Sequence, residues 1–477
     1  MKLVKVKYKK YRTLMKHQQD FISWGLEKTH VPNLMDLRLG KTLSTIRLIK
    51  EWTDAETNNN PENSTFPVLI VAPSAVLETW EKELRLEYEQ YVILQGKTFD
   101  RRSTLAVKEG FGISGRRWIL INYESLLYTP GIAFLPWFSV VSDESVIIKN
   151  PKSKISQLFT KGFHEVKHRV ILTGLISPEG ELDIFQQMYF LYREFMGCTN
   201  YYEYRAKYFR LQWDGWACKP SAKLQIENAV HATSFALTRT QAGIGNKKVR
   251  QVRKVSLTTE QQKIYDRIEK DFVSEVKGLE VETDHATTKS IWLARITGGC
   301  DTEGTFKWNP KLQELLYLLK YELSKEPVVV WCRFDTEIKM IADTLLKKKI
   351  PCTTLTGEDT RETKKKKQEW FRTCSVPGRV IICQEMKVAE FGVNMSASST
   401  AVYYSFVYSG NTIAQTEDRI EDPMKKQPLL YIYLVAEGTV DEDVVETIRD
   451  KVRSAKQFMA GFNSRFRKRI MEKYATK

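Results

Sequence analysis

The sequence predicts an α/β fold built from two parallel-sheet lobes in tandem, with helical insertions between them. Three observations predict it. At 477 residues the chain exceeds what one hydrophobic core usually organises. Its short β-branched runs fall into two sets with a long gap between. Helical patterns separate most of the runs, and continuous apolar strands alternating with helices imply a parallel sheet covered on both faces. A hydrophobic content of 42%, with 11% aromatics, can fill both cores.

The first set of strands is "PVLIV" (67–71), "WILI" (118–121), "SVVS" (139–142) and "RVIL" (169–172). The second is "PVVVWC" (327–332), "CTTL" (352–355), "RVIIC" (379–383), "AVYYS" (401–405) and "LLYIYLV" (429–435). "SAVLETWEKELRLEYE" and "DTEIKMIADTLLKKK" are among the helices between them. From about residue 183 to 310 the strand signal disappears, and "LDIFQQMYFLYREFM", "KLQIENAVHATSFALT" and "TTEQQKIYDRIEKDFVSEVKG" have helical periodicity. The expected organisation is a first lobe at 1–182, helical insertions and a linker at 183–305, a second lobe at 306–447 and a basic C-terminal helical segment at 448–477.

The net charge of +16 is unevenly spread. Residues 1–16 carry seven Lys/Arg and no acid, residues 239–254 carry six and no acid, and residues 448–477 carry ten against Asp450 and Glu472. Together these stretches hold +21, so the rest of the chain is slightly acidic. Any one such run is commonly a solvated face, but three of them suit a polyanion, held by salt-sensitive phosphate contacts. Seven cysteines without a C-x-x-C pair argue against a disulfide scaffold and a structural zinc site. No run reaches transmembrane length and the N-terminus lacks an apolar leader. The expectation is a soluble, cytoplasmic protein with no membrane partner. Trp24 and Trp80 read as packing residues, and His164 and His168 as surface residues.

The stretch "NLMDLRLGKTLSTIRL" (33–48) contains Gly40-Lys41-Thr42 at the start of an amphipathic segment. A phosphate-binding loop, G-x-x-x-x-G-K-[ST], would place its first glycine at position 35, where this chain has Met35. On this stretch alone, a phosphate loop and a plain helix start are both open. "SVVSDESVIIKN" (139–150) places Asp143 and Glu144 directly after a buried strand, where doubly wound sheets bind ligands. There one carboxylate can hold Mg²⁺ and a second can polarise an attacking water. The spacing of about one hundred residues fits a nucleotide site.

The order of these segments resembles the Swi/Snf-type translocases of helicase superfamily two, along nearly the whole chain, as a compact phage- or prokaryote-like member. "LMKHQQDFISW" (14–24) resembles the family's leading glutamine motif, "LRLGKT" (37–42) its motif I, "VAPSAVLETWEKEL" (71–84) motif Ia and "INYESLL" (121–127) motif Ib. "DESVIIKN" (143–150) resembles motif II, "RVILTG" (169–174) motif III, "VSLTTEQQKIYD" (255–266) the bridge to the second lobe, "FGVNMSAS" (391–398) motif V and "QTEDRI" (415–420) motif VI. The resemblance implies two RecA-like lobes, ATP and Mg²⁺ as cofactors, and double-stranded or branched DNA as partner. It implies a DNA-dependent ATPase of a monomeric translocase or helicase in replication, recombination or repair. It assigns ATP binding to Gln18, Leu39, Gly40, Lys41, Thr42 and Gly392, and metal binding to Thr42 and Asp143. Catalysis falls to Glu144, Gln415 and Arg419. DNA contacts fall to Ser74, Asn122, Asn394, Arg465, Arg467 and Lys468.

Four departures from the family pattern stand out. Val146 replaces the motif II histidine, Leu175-Ile176 replace a Thr-Pro of motif III, Arg38 adds a cation beside the loop, and Asp422 stands where motif VI has a second arginine. An aspartate there would be repelled by the phosphates and should turn toward a cation such as Arg38, Lys425 or Lys426. The departures keep a catalytically weakened nucleic-acid-binding scaffold in view; an RNA helicase of the same superfamily is a further alternative, which the helical insertion around 183–310 disfavours.

Overall fold

The structure, a computed structural model, describes residues 12–59, 65–94, 115–178, 180–212, 215–276, 291–300, 304–385, 393–407, 410–422, 425 and 427–449. The chain divides into two compact units, Met1–Ile244 and Gly245–Lys477. Strands are numbered along the chain, from β1 to β9 in the first unit and from β10 to β15 in the second.

In the first unit, seven strands form one sheet: β1 (His30–Met35), β2 (Thr65–Ala72), β3 (Tyr91–Leu94), β4 (Gly115–Asn122), β5 (Ser139–Asp143), β6 (His168–Leu172) and β9 (Phe235–Leu237). Their order is β3-β4-β2-β5-β6-β1-β9, and every pairing is parallel. The period of two along each strand divides the apolar side chains between two cores. Val68, Ile70, Val141 and Val170 enter one, with Ile46 and Trp80. Leu69, Val71, Val140 and Ile171 enter the other, with Phe159 and Phe185. A two-stranded antiparallel hairpin, β7 (Phe209–Gln212) and β8 (Gly215–Cys218), lies outside the sheet.

The second unit has a six-stranded sheet, again with all pairings parallel, in the order β10-β15-β14-β11-β13-β12. Its strands are β10 (Lys248–Val255), β11 (Val328–Cys332), β12 (Cys352–Leu355), β13 (Val380–Gln384), β14 (Thr400–Tyr403) and β15 (Leu429–Ala436). Val329, Trp331, Ile381 and Tyr433 face one core; Val330, Ile382, Val402 and Leu434 face the other.

All nine strands expected from apolar runs are present. The stretch 183–305, expected to be helical, is corrected in two respects. It holds β7, β8, β9 and β10 as well as helices, and it is shared between the units, with residues up to Ile244 in the first. β10 has no apolar run because, among the described residues, it is an edge strand paired with β15 alone, and its sequence KVRQVRKV carries charge on solvent-facing positions. β1 was hidden by Pro32 and Asn33, residues rare in inner strands. His168 is likewise buried, not superficial: its ring stacks on Trp52 at 4.4 Å, and burial lowers its pKa to about 4.

Candidate functional site

The carboxyl end of β1 runs into the turn 36–40 and then into helix α1 (Lys41–Asn59). Two residues of the turn have left-handed backbone, Arg38 at φ 65° and Gly40 at φ 77°. Gly40 has a second reason to lack a side chain. A Cβ there would lie 2.1 Å from the Gln18 amide nitrogen. Gln18 is buried and braces the loop, donating to the Leu39 carbonyl at 3.2 Å while its own oxygen accepts from the Met15 amide at 3.0 Å. His17 Nε2 donates to the same Leu39 carbonyl at 2.9 Å, a second brace that nothing in the local sequence pattern indicated.

Lys41 Nζ donates to the carbonyls of Met35 at 2.8 Å and Asp36 at 3.2 Å, so its charge lies within the curve of the loop. Thr42 follows in the first turn of α1, half-buried. The start of a helix with a lysine beside it is a physical anion site, because unsatisfied N–H groups and the helix dipole both favour negative charge. The first of the two readings of this stretch, a phosphate loop, is the one the geometry supports.

Asp143 ends β5, two strands from β1. Burial pushes its carboxyl above the ordinary range, opposed by the Trp80 indole N–H, which donates to Oδ2 at 2.7 Å, and by the charge of Lys41. Trp80 is thus a core residue, as expected, and also the partner of this carboxylate. Oδ1 accepts from the Glu144 amide at 2.9 Å, and Glu144 itself has left-handed backbone at φ 52°. A non-glycine residue held there costs on the order of 1–3 kcal/mol, a strain that surrounding structure must over-determine. Tyr123, fully desolvated, donates to the Asp143 carbonyl at 2.7 Å.

The next residue opens a buried polar chain. Ser145 Oγ donates to Gln187 Oε1 at 2.7 Å, and Gln187 Nε2 donates to the Ile176 carbonyl at 2.7 Å and to the Asp183 carbonyl at 2.8 Å. Gln187 has no exposed surface. It therefore joins the segment 143–150 to the loop after β6, where the family residues at Val146 and Leu175-Ile176 are missing. Ser145 and Gln187 stand 42 residues apart, so no sequence window contains the contact.

Ser74 lies just after β2, and Asn122 ends β4. The Asn122 amide donates to Ser74 Oγ at 2.7 Å, and its oxygen caps the helix Tyr123–Tyr128. Gln18, Leu39, Gly40, Lys41, Thr42, Ser74, Asn122, Asp143 and Glu144 all lie within the first unit; all but Gln18, which is on the helix Lys16–Leu26, are at or just beyond the carboxyl ends of β1, β2, β4 and β5.

In the second unit, Gln415 and Arg419 lie on helix α2 (Gly410–Arg419), with Gln415 exposed. The Arg419 carbonyl accepts from the Met395 amide at 2.9 Å, which ties the end of α2 to the segment containing Asn394. Asn394 is exposed and its oxygen accepts from the Ser396 amide at 2.9 Å. Gly392, Arg465, Arg467 and Lys468 lie outside the described residues.

The basic run 239–254 is largely paired with acids. Four of its six cations are in ion pairs within their own unit: Lys248 with Glu417, Asp418 and Glu421, Arg250 with Glu417, Arg253 with Glu322, and Lys254 with Glu442. The acids come from distant parts of the chain, so the run looks uncompensated in sequence and is compensated in space.

Residues 17–298 match the SNF2-related domain, and residues 310–421 match the helicase conserved C-terminal domain. The chain belongs to the SNF2-related family, and it folds as two parallel-sheet units. It is similar to an uncharacterised ATP-dependent helicase of Mycoplasma genitalium, at 22% identity over 93% of this chain and 42% of the relative. It is also similar to putative protein p41 of Acyrthosiphon pisum secondary endosymbiont phage 1, at 22% identity over 87% of this chain and 90% of that protein. Among solved structures, the Sulfolobus solfataricus SWI2/SNF2 ATPase core in complex with dsDNA aligns at a TM-score of 0.44 and 19% identity, covering 94% of this chain and 93% of that one. The chain spans less than half of the Mycoplasma relative, and 11% and 16% of two TATA-binding protein-associated factors that it also matches.

Proposed function

We propose that the chain is an ATP-driven translocase on double-stranded DNA, acting on branched DNA in replication, recombination or repair. The observation that carries this reading is the assembly, in one unit, of the Gly40–Thr42 loop and the desolvated Asp143 carboxylate, in a chain of the SNF2-related family. Lys41 and the backbone N–H groups at the start of α1 hold the phosphates, and Gln18 faces the adenine. The Thr42 hydroxyl and Asp143 carboxylate are hard oxygen donors of the kind Mg²⁺ selects, so the residues present fit that ion. Bound there, Mg²⁺ would neutralise charge on the phosphoryl oxygens. Glu144 orients the attacking water and accepts its proton, and Arg419, with Gln415, offsets charge developing on the transferred group. Ser74, Asn122 and Asn394 offer neutral hydrogen-bonding groups that suit phosphate contacts independent of base sequence.

The test is ATP turnover by the full chain without nucleic acid, and with duplex DNA, forked DNA or RNA. Duplex or forked DNA should stimulate turnover. Glu144→Gln should abolish hydrolysis while ATP and DNA still bind, since it removes the base and spares the phosphate ligands. Wild-type turnover by Glu144→Gln would refute its role; stimulation by RNA alone would move the chain to the RNA helicases. A second reading, a weakened scaffold, is favoured by Asp422 and by Leu175-Ile176, and predicts nucleic-acid binding without stimulated turnover.

A further inference from the structure

Glu417 lies near the end of α2 and is 3% exposed. Arg250 of β10 reaches it with two prongs, Nε to Oε1 at 2.8 Å and NH2 to Oε2 at 2.6 Å. Lys248 Nζ lies 3.2 Å from the same carboxylate, 3.4 Å from Asp418 and 2.7 Å from Glu421. Tyr433 of β15 donates its hydroxyl to Glu417 Oε1 at 2.9 Å, and Tyr431 donates to the Glu417 carbonyl at 2.9 Å. Burial alone would push this carboxyl up; the Arg250 and Lys248 contacts outweigh it and hold it below the ordinary range.

Helical geometry gives the contact a consequence. Gln415 and Arg419 are four apart and share a face of α2, whereas Glu417, two residues from each, is turned about 200° away. Anchoring Glu417 against β10 and β15 therefore fixes the rotation of α2 and decides where the opposite face points. We propose that Arg250 and Lys248, through Glu417, form a clamp that positions α2 so that Arg419 can act; this rests on the ATPase reading above. Arg250 and Lys248 are positioning residues, since they act through another side chain. The basic run 239–254, read from the sequence as suiting a polyanion, is at these two positions part of the hydrolytic machinery.

The clamp makes three demands on the full chain. Arg250→Ala should lower the DNA-stimulated kcat by roughly 10-fold to 100-fold, the scale of about an ångström of misplacement in a catalytic group. KM for ATP should stay within about two-fold, because the phosphate loop is carried by the other unit. The exchange Arg250→Glu with Glu417→Arg preserves the net charge of the network beside Lys248, Asp418 and Glu421, and should restore most of the lost kcat. Rates are taken at a temperature where circular dichroism reports every variant folded, so that a loss of fold does not pass for a loss of position. Where Arg250→Ala does not fold, Glu417→Gln, which keeps an oxygen to accept from the Tyr433 hydroxyl and removes the charge, takes its place with the same expected kcat loss. A folded Arg250→Ala or Glu417→Gln with wild-type kcat, or an exchange that restores nothing, overturns the clamp. A wild-type chain without nucleic-acid-stimulated turnover overturns the ATPase reading instead, and the two failures are distinct.

Discussion

Replacing Gly40 with alanine puts a methyl group where the loop has no room for one. Two costs can be worked from the structure. The backbone at φ 77° disfavours any side chain with a Cβ, at roughly 1–2 kcal/mol. The new Cβ would lie 2.1 Å from the Gln18 amide nitrogen, so Gln18 must move and give up its contacts with the Leu39 carbonyl and the Met15 amide. Each such hydrogen bond is worth about 0.5–1.5 kcal/mol net, which brings the total to about 2–5 kcal/mol. A loop free to relax escapes part of this strain without nucleotide and must regain it on binding. The cost then divides between chain stability and affinity, and affinity alone could fall by up to roughly 10³–10⁴-fold. The assay is titration with a fluorescent ATP analogue and Mg²⁺, paired with urea unfolding of the same sample. The double variant Gln18→Ala/Gly40→Ala removes the collision and keeps the backbone cost, so it should bind more tightly than Gly40→Ala. Unchanged affinity and unchanged unfolding in Gly40→Ala would refute the loop geometry. A double variant no better than the single would refute the part assigned to Gln18.

Gln187→Leu leaves the Ser145 hydroxyl and the Ile176 carbonyl buried without their partner, and should destabilise the first unit by about 2–4 kcal/mol in urea unfolding; an unchanged midpoint would mean that the buried chain is not formed. Burial raises the carboxyls of Glu337 to about 7 and Glu385 to about 8, from an ordinary 4.5. Their contribution to stability is therefore complete below pH 4.5 and fades as pH rises through about 7 and 8. The second unit should lose on the order of 2–4 kcal/mol between pH 6 and 9, and Glu385→Gln should flatten that loss; a midpoint flat across the range in the wild type would contradict it. Deleting residues 462–477 removes Arg465, Arg467, Lys468, Arg469, Lys473 and Lys477. DNA affinity should weaken and its log-salt slope become shallower, whereas an unchanged slope would make the segment a bystander.

What the sequence determined by itself is what depends on local pattern. A strand buried on both faces must be apolar at successive positions, so "PVLIV", "SVVS" and "RVIIC" announced inner strands, and all nine such runs are strands. The proposed site residues Lys41, Thr42, Asp143 and Glu144 stand where a strand ends or a helix begins, and that placement was legible for the same reason: strand, turn and helix start are adjacent in the chain. Only the tertiary structure decided which remote side chains meet. The basic run 239–254 looked suited to a polyanion because its counter-charges, at positions 322, 417, 418, 421 and 442, are scattered far along the chain. Trp80 looked like packing alone because its indole N–H finds Asp143 across 63 residues, and Gln187 carried no signal because its partners are loops that only the folded sheet brings together. Hydrophobic periodicity is a property of neighbours in sequence. The pairing of a buried polar group is set by whichever partner the fold delivers, since leaving it unpaired costs more than any local preference contributes.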